Sequence, residues 1–238
     1  MRYRACSVGP LFALTIAACA AGCTASDDAS DDDVTVEGEE SSGSALSAAD
    51  YPVPNLSAEE KAAIFARYHV DPDGVVPKAM LTDALAFLDA NKDKIHNKSY
   101  LTVVDFSKHS GKDRLFVVDL TSGAVQSHVV AHGSGSDPGN TGYATRFSNV
   151  NNSNESSLGY YLTGETYNGK HGGSLRLDGL SPSNSNVRMR AIVMHGADYV
   201  SEGRSRQGRS WGCFALPQGD KDAVIAKLNG GSIIYAAH

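Results

Sequence analysis

Residues 101–106, LTVVDF, and residues 114–120, RLFVVDL, decide the fold class of this chain. Both are short runs rich in β-branched and aromatic residues, and the polar residues 107–113 between them are typical of the connection in a β-hairpin. Residues 121–123 (TSG) form the next turn, and residues 125–131 are predicted to form the third strand. The pattern indicates a sheet that begins near Tyr100.

Further short strands are expected along the rest of the chain. They fall at residues 159–163, 174–177, 191–194 and 233–235, and a helix is expected near residues 221–228. Residues 133–158 are rich in Gly, Ser and Asn and almost free of aliphatic side chains, which predicts a long loop that is either functional or mobile. The fold class expected for residues 99–238 is therefore mainly β.

Two helices precede the sheet. Residues 57–60 (SAEE) form a capping box in which Ser57 and Glu60 each satisfy a backbone N–H, and residues 71–74 (DPDG) end the helix. A second helix begins at Pro77, which suits a first helical turn, and runs to about Ile95. Its apolar stripe is Met80, Leu81, Ala84, Leu85 and Leu88. Residues 56–98 are therefore predicted to be a small helical annex that packs on the sheet.

The first residues have the form of an export signal. Arg2 and Arg4 precede an apolar run at residues 8–18 that is too short to span a bilayer. Cys19 and Cys23 each follow small residues, as in the bacterial lipobox, so residues 1–22 are predicted to be a lipoprotein-type signal peptide with either cysteine lipidated. A plain signal peptide is the alternative. We expect an exported protein on the periplasmic face of the cell envelope, an outer-membrane lipoprotein that meets the membrane only through its lipid.

Acidic residues are concentrated ahead of the domain. The formal net charge is -6, and residues 27–40 hold eight carboxylates and no base. A stretch so charged and so poor in apolar residues does not bury enough surface to offset its ordering entropy, so residues 23–55 are predicted to be a disordered tether. From residue 51 onward the chain has 19 Lys and Arg and 18 Asp and Glu, so this part is nearly neutral. It has no basic stripe, and no nucleic-acid partner is predicted.

Cys213 is the only cysteine after residue 23. A single cysteine in an exported domain has no disulfide partner within that domain, so Cys213 is a candidate nucleophile. It reacts as a thiolate, and His195, which follows the apolar residues 191–194, is the candidate base. Gly212 permits a tight turn whose amides point at an oxyanion. On spacing alone, a buried structural cysteine and a strand-end histidine remain the alternative.

The histidines offer a second chemistry. His132, His171 and His195 could join Cys213 in a zinc site. No two of these residues have the short spacing of a usual ligand pair, so the prediction is that no metal binds. His132 and His171 are instead expected to line a substrate cleft or to satisfy loops. Tyr167 is expected to line the cleft or to pack in the core, and Trp211 is the candidate for the substrate-facing aromatic beside the nucleophile.

The spacing of His195-Gly196 and residues 210–213 (SWGC) resembles the motif of YkuD-type L,D-transpeptidases, enzymes that remodel bacterial peptidoglycan. Residues 77–238 are also similar to the branch known as the murein L,D-transpeptidase catalytic domain, for example at residues 175–180 (LRLDGL). Three positions differ. Trp211 stands where many relatives have His, Phe214 where the branch has Pro, and Ala215 where other relatives have Arg.

The resemblance implies an L,D-transpeptidase-like β-sandwich or barrel at residues 99–238 that acts on the stem peptides of peptidoglycan. It implies that Cys213 is the nucleophile, that His195 is its base, and that the Gly196 carbonyl orients the imidazole. Ser210 is expected to hydrogen-bond within the turn, and Arg209 either to meet a substrate carboxylate or to cap the loop. No cofactor is needed. The alternatives are an L,D-carboxypeptidase on the same substrate, a zinc-dependent hydrolase and a non-catalytic wall-binding module.

Overall fold

The computed structural model describes residues 46–238. The predicted signal peptide, most of the predicted tether, Cys19 and Cys23 lie outside these residues. The elements are α1 (Ala58–Tyr68), α2 (Lys78–Asn91), β1 (Tyr100–Asp105), β2 (Leu115–Asp119), β3 (Val125–His128), β4 (Gly159–Gly169), β5 (Gly172–Gly179), β6 (Val193–Ala197), β7 (Phe214–Pro217), α3 (Gln218–Leu228) and β8 (Ile233–Ala237).

The described strands form one eight-stranded sheet in the order β3-β2-β1-β8-β4-β5-β6-β7. Neighbours are antiparallel except for β1–β8 and β6–β7, which are parallel. The two ends of the sheet approach each other, because the Ala131 N–H donates to the Ala215 carbonyl at 2.9 Å and Gly133 bridges Ser210. The sheet is therefore nearly closed, and the prediction of a mainly β fold is confirmed.

Several strand boundaries differ from the prediction. The third strand ends at His128 instead of residue 131, and β7 was not predicted. Ala191 has a positive φ of 52°, which interrupts the extended backbone before Val193, so the predicted strand at residues 191–194 begins later. It then continues through His195 to Ala197, and His195 lies within the strand instead of at its end.

The annex packs on one face of the sheet. The capping box is present, since Ser57 N donates to Glu60 Oε2 at 2.7 Å and Glu60 N donates to Ser57 Oγ at 3.2 Å. The apolar stripe of α2 is buried against Leu101 and Phe116 of the sheet. No helix among residues 46–238 has both the length and the apolar character needed to cross a bilayer.

Order begins before the predicted end of the tether at residue 55. Residues Ala48–Asp50 form a 3-10 turn, Tyr51 is buried in the same core as α2, and Asn91 Nδ2 donates to the Pro52 carbonyl at 3.1 Å. Burial of the Tyr51 ring offsets the ordering entropy of this short stretch.

The opposite face of the sheet packs against α3. Buried side chains from distant strands meet there with Val224, Ile225 and Leu228 of α3; among them are Val104, Leu115, Met194, Phe214 and Leu216. Because Met194 and Phe214 point into this core, their neighbours along β6 and β7 point to the other side of the sheet. That other side carries the candidate site.

Candidate active site

Strands β6 and β7 bring His195 and Cys213 onto neighbouring positions of one face. The parallel register pairs Met194 with Phe214 and His195 with Ala215. Because side chains alternate along a strand, His195 and Ala215 share the face opposite to Met194 and Phe214. Cys213 directly precedes β7, two residues before Ala215, and continued alternation predicts that it lies on the same face. Strand pairing thus brings two residues eighteen positions apart to diagonal positions of adjacent strands.

The turn before Cys213 requires a glycine. Gly212 has a φ of +120°, and a Cβ added there would lie 2.7 Å from both the Glu155 carbonyl oxygen and Ile192 Cδ1. The Gly212 N–H donates to Ser210 Oγ at 3.1 Å, and Ser210 Oγ donates to the Cys213 carbonyl at 2.8 Å. Ser210 thus bonds within the turn as expected. Because the Gly212 N–H donates to Ser210, it does not point at an oxyanion in this structure, contrary to the prediction from the sequence. Gly212 acts here through its backbone conformation.

His195 is buried, and its ring is oriented from two sides. Its Nδ1 lies 3.0 Å from the Gly196 carbonyl oxygen. A carbonyl only accepts, so this contact places the proton of the neutral imidazole on Nδ1 and makes Nε2 the basic nitrogen. The His171 ring stacks on the His195 ring, with centroids 4.3 Å apart and an interplanar angle of 24°. His171 belongs to the tip of the β4–β5 hairpin, which therefore covers the imidazole.

Cys213 is 7% exposed, so its sulfur is close to the surface without being open to it. Cys213 Sγ lies 3.8 Å from the carbonyl oxygen of Ala191, the residue with positive φ. Burial raises the pKa of Tyr161 and of Tyr167. The negative charge of the Cys213 thiolate raises both pKa values further. The sulfur therefore lies within electrostatic range of Tyr167, the aromatic residue predicted for the cleft.

Arg190 lies behind the turn and was not identified from the sequence. Its Nη1 donates to the Ser148 carbonyl and to Ser157 Oγ, both at 2.7 Å, and its Nη2 donates to the Glu155 carbonyl at 2.6 Å. Burial lowers the pKa of Arg190, and the charge of Cys213 opposes that shift. Arg190 therefore ties the loop to the nucleophile turn and places a positive charge beside the cysteine. No short motif marks such a residue in the sequence.

His132 does not line an open cleft; of its two predicted places, the structure supports the one among the loops. It is 1% exposed, and its Nδ1 accepts from Arg114 Nη2 at 2.8 Å while its Nε2 lies 3.5 Å from Asp137 Oδ2. Burial lowers the pKa of His132 well below its usual range, and the Arg114 charge adds to the fall. The imidazole is neutral and faces a buried ion network, because burial disfavours the protonated form and Arg114 supplies only donors.

Arg114 is completely buried and anchors this network. Its Nε and Nη2 donate to the Val130 carbonyl at 3.0 and 2.7 Å, and its Nη1 donates to the Lys108 carbonyl at 3.0 Å. Burial lowers its pKa to about 9, against the charges of Asp105 and Asp137. The place of Arg114 at the start of the predicted strand gave no sign of this burial.

Arg209 is buried beside the same network. It donates through Nη1 to the Asp137 carbonyl, and the Asp137 carboxylate accepts from the Thr141 and Gly142 amides at 2.8 and 2.7 Å. Of the two predicted roles for Arg209, this contact supports the loop cap. Trp211, next to Cys213 in the chain, is partly exposed. The loop at residues 133–158 is held by hydrogen bonds from Arg209 to Asp137 and from Arg190 to Glu155.

The histidines considered for zinc are divided between two places. His171 and His195 stack, whereas His132 is held by Arg114 and Asp137. Within residues 46–238, no group of three His, Cys, Asp or Glu side chains converges as a ligand set.

A cavity of about 340 Å³ lies on the far side of the β4–β5 hairpin. It is formed between that hairpin and α3, and it includes Tyr167 and Ser174 but neither His195 nor Cys213. His195 and Cys213 therefore lie outside the cavity.

Comparison with known proteins identifies the class. Residues 73–237 match the family model described as the L,D-transpeptidase catalytic domain. The match covers more than half of the chain, and the chain belongs to this family. No curated protein is significantly similar to it in sequence.

Three solved structures illustrate the similarity. An L,D-transpeptidase from Stackebrandtia nassauensis is 19% identical, with a TM-score of 0.36 over 77% of this chain and 80% of that one. L,D-transpeptidase 1 of Mycobacterium tuberculosis is 12% identical, with a TM-score of 0.34 over 59% of this chain and 62% of that one. An L,D-transpeptidase from Mycobacterium smegmatis is 12% identical, with a TM-score of 0.37 over 59% of each chain. This chain spans 62% and 59% of the two mycobacterial chains.

Proposed function

We propose that this protein is a peptidoglycan L,D-transpeptidase with Cys213 as its nucleophile and His195 as its base. The observation that carries the proposal is the register of β6 and β7, which sets the two residues on one face of adjacent strands within a domain of this family. The proposed substrate is the tetrapeptide stem of peptidoglycan. No cofactor takes part in the proposed chemistry.

In the first step, His195 Nε2 takes the proton of the Cys213 thiol, and the sulfur attacks the carbonyl carbon between the diamino acid and the terminal D-alanine. The carbon–nitrogen bond breaks, and the imidazolium returns the proton to the departing amine. D-Alanine leaves, and the stem remains bound to the sulfur as a thioester. The contact of His195 Nδ1 with the Gly196 carbonyl supports this step, because it leaves Nε2 free of its proton before attack.

In the second step, an amine of a neighbouring stem attacks the thioester. His195 takes a proton from that amine, the carbon–sulfur bond breaks, and the proton returns to the thiolate. The product is an amide cross-link between two stems. If water attacks instead, the same intermediate gives L,D-carboxypeptidase activity, so the acceptor alone separates the two reactions.

The surroundings of Cys213 support its ionisation. The half-buried Arg190 holds a positive charge beside the turn, and a nearby cation favours a thiolate. Burial of His195 and Cys213 strengthens electrostatic interactions between them, since the local dielectric is low. Trp211 and Tyr167 are the proposed aromatic contacts of the stem, with His171 above the imidazole.

Intact-mass analysis after exposure to a tetrapeptide stem tests the proposal. The expected result is a covalent adduct equal to the stem minus D-alanine on the wild-type protein, and no adduct on Cys213→Ala. His195→Gln is expected to keep its fold and to acylate at least a hundredfold more slowly. A carbapenem serves as a second acylating reagent. Wild-type protein whose mass stays unchanged, under conditions that acylate a known L,D-transpeptidase, would refute the function.

We also propose export and lipid anchoring, on the strength of residues 1–23 alone. Radiolabelled palmitate incorporated in cells should be lost in either Cys19→Ala or Cys23→Ala, and the variant that loses it identifies the lipidated residue. Label retained in both variants and in the double variant would contradict lipidation at these cysteines.

A further inference from the structure

A basic side chain lies in the same row of the sheet as Cys213. Arg176 of β5 pairs with Val193 of β6, and its neighbours Leu175 and Leu177 point into the core on the α3 side. The β6–β7 register, continued by one residue from Met194 and Phe214, sets Cys213 opposite Val193. Arg176 and Cys213 therefore flank Val193 on one face, with Cα atoms about 10 Å apart at ordinary strand spacing.

The guanidinium of Arg176 packs on an aromatic ring of the neighbouring strand β4. It lies 4.4 Å from the centroid of the Tyr167 ring. The Arg176 charge lowers the pKa of Tyr167 while the Cys213 charge raises it, so both groups act on the same phenol. The Arg176 side chain is 26% exposed, which leaves it accessible to a ligand on this face.

The carboxylate paired with Arg176 is Glu165, which is also bound by a second arginine. Arg176 Nε lies 3.2 Å from Glu165 Oε1, but Arg188 contacts both Glu165 oxygens, at 3.0 and 3.2 Å. Arg188 also binds Asp178. Within residues 46–238 the Nη groups of Arg176 make no hydrogen bond, so its terminal nitrogens are available to a second carboxylate.

We propose that Arg176 binds the carboxylate of the terminal D-residue of the stem while Cys213 attacks the preceding carbonyl. This inference rests on the proposed function. The terminal carboxyl carbon follows the scissile carbonyl by one residue, about 3.5 Å along an extended chain. The Arg176 guanidinium contacts Tyr167 and Glu165 of β4, so it turns across Val193 toward β7 to meet the carboxylate. Ala215, on the same face of β7, offers no charge for this purpose.

The geometry also predicts the form of recognition. A guanidinium presents a planar fork that matches a carboxylate, and in the absence of a ligand it packs on the Tyr167 ring. Arg176 thereby selects stems that end in a free acid. It is a substrate-binding residue and takes no part in the proton transfers.

Steady-state kinetics with two matched substrates test the inference. One substrate is the tetrapeptide acid, and the other is the same peptide with a C-terminal amide. For Arg176→Gln, we expect kcat/KM on the acid to fall tenfold to a hundredfold and kcat/KM on the amide to change less than threefold. Arg176→Lys should recover part of the loss on the acid, because the charge remains. Arg146→Gln, a change at an exposed arginine, should leave both values unchanged.

The controls separate three outcomes. Alkylation of Cys213 by neutral iodoacetamide at the wild-type rate shows that the nucleophile of Arg176→Gln is intact. Equal losses on the acid and the amide, or no loss on either, would overturn the role of Arg176 while the transpeptidase stands. A wild-type protein that releases neither D-alanine from the acid nor D-alaninamide from the amide overturns the proposed function and this inference together.

Discussion

The sharpest prediction concerns Gly212→Ala, with Gly203→Ala as its matched control. Both glycines have a positive φ, +120° and +78° respectively, and both lie in the segment between β6 and β7. They differ in the space around a new methyl group. At Gly203 nothing lies within 4 Å of an added Cβ, whereas at Gly212 the Glu155 carbonyl oxygen and Ile192 Cδ1 each lie 2.7 Å away.

The two changes therefore differ in magnitude. Gly203→Ala adds only backbone strain, about 1 kcal/mol after the lost freedom of the unfolded chain is counted. Gly212→Ala adds a comparable or larger strain and also an overlap with a backbone oxygen fixed by Arg190, together about 2–5 kcal/mol. For a domain of this size, the midpoint of thermal unfolding should fall by roughly 5–15 °C for Gly212→Ala and by only a few degrees for Gly203→Ala.

Activity should separate the variants further. Relief of the overlap moves the turn and the adjacent Cys213, and a displacement of about 1 Å at a reacting group lowers rates by about a hundredfold. Calorimetry gives the midpoints, and intact-mass analysis with a carbapenem gives the acylation rates at a temperature where both variants are folded. If Gly212→Ala melts and acylates like Gly203→Ala, the overlap is absent and the account of this turn is wrong.

Three further predictions concern the charges around the site. Arg114→Met should destabilise the domain by about 3–5 kcal/mol in urea unfolding, because it leaves His132 and Asp137 buried without their partner. Arg67→Met, at an exposed ion pair, should change stability by less than about 1 kcal/mol. Equal effects of the two changes would contradict the buried network. Because burial lowers the pKa of His132, its imidazole is protonated in the unfolded chain below pH ~6.5 while it stays neutral in the folded chain. Stability from this group should be constant above pH ~6.5 and fall by about 1.4 kcal/mol per pH unit below it. His132→Asn should flatten that slope between pH 7 and 5, and an unchanged slope would refute the assignment. Arg190→Gln should slow iodoacetamide alkylation of Cys213 at pH 7 by about tenfold, and Arg190→Lys should slow it less; a wild-type rate in both would show that Arg190 acts only on the loop.

Local patterns of residues predicted local structure well. The capping box at Ser57 and Glu60 and the hairpin of β1 and β2 depend on contacts within a few residues, and both are present. Cys213 and His195 were identified by residue type and by the motif around them. The mainly β fold follows from the same short alternating runs.

The network around His132 shows where such reasoning fails. His132 is a candidate cleft residue by sequence, yet Arg114, eighteen residues earlier, donates to it, and Asp137, five residues later, faces its other nitrogen. Arg190 likewise gains its role from loop atoms that lie 33 to 42 residues earlier. Neither arrangement is marked by a motif, because the partners of a buried charge are fixed by packing.

The amino-acid sequence by itself determined the types of element in this protein and the candidates for its reactive residues, since propensity, capping and chemical reactivity belong to short stretches of chain. Only the tertiary structure decided that β7 pairs in parallel with β6, that Cys213 shares a face with His195 and Arg176, and that His132 faces inward. A shift of one residue in strand register turns every side chain to the other face. That register is fixed by contacts between strands distant in sequence, which no local pattern contains.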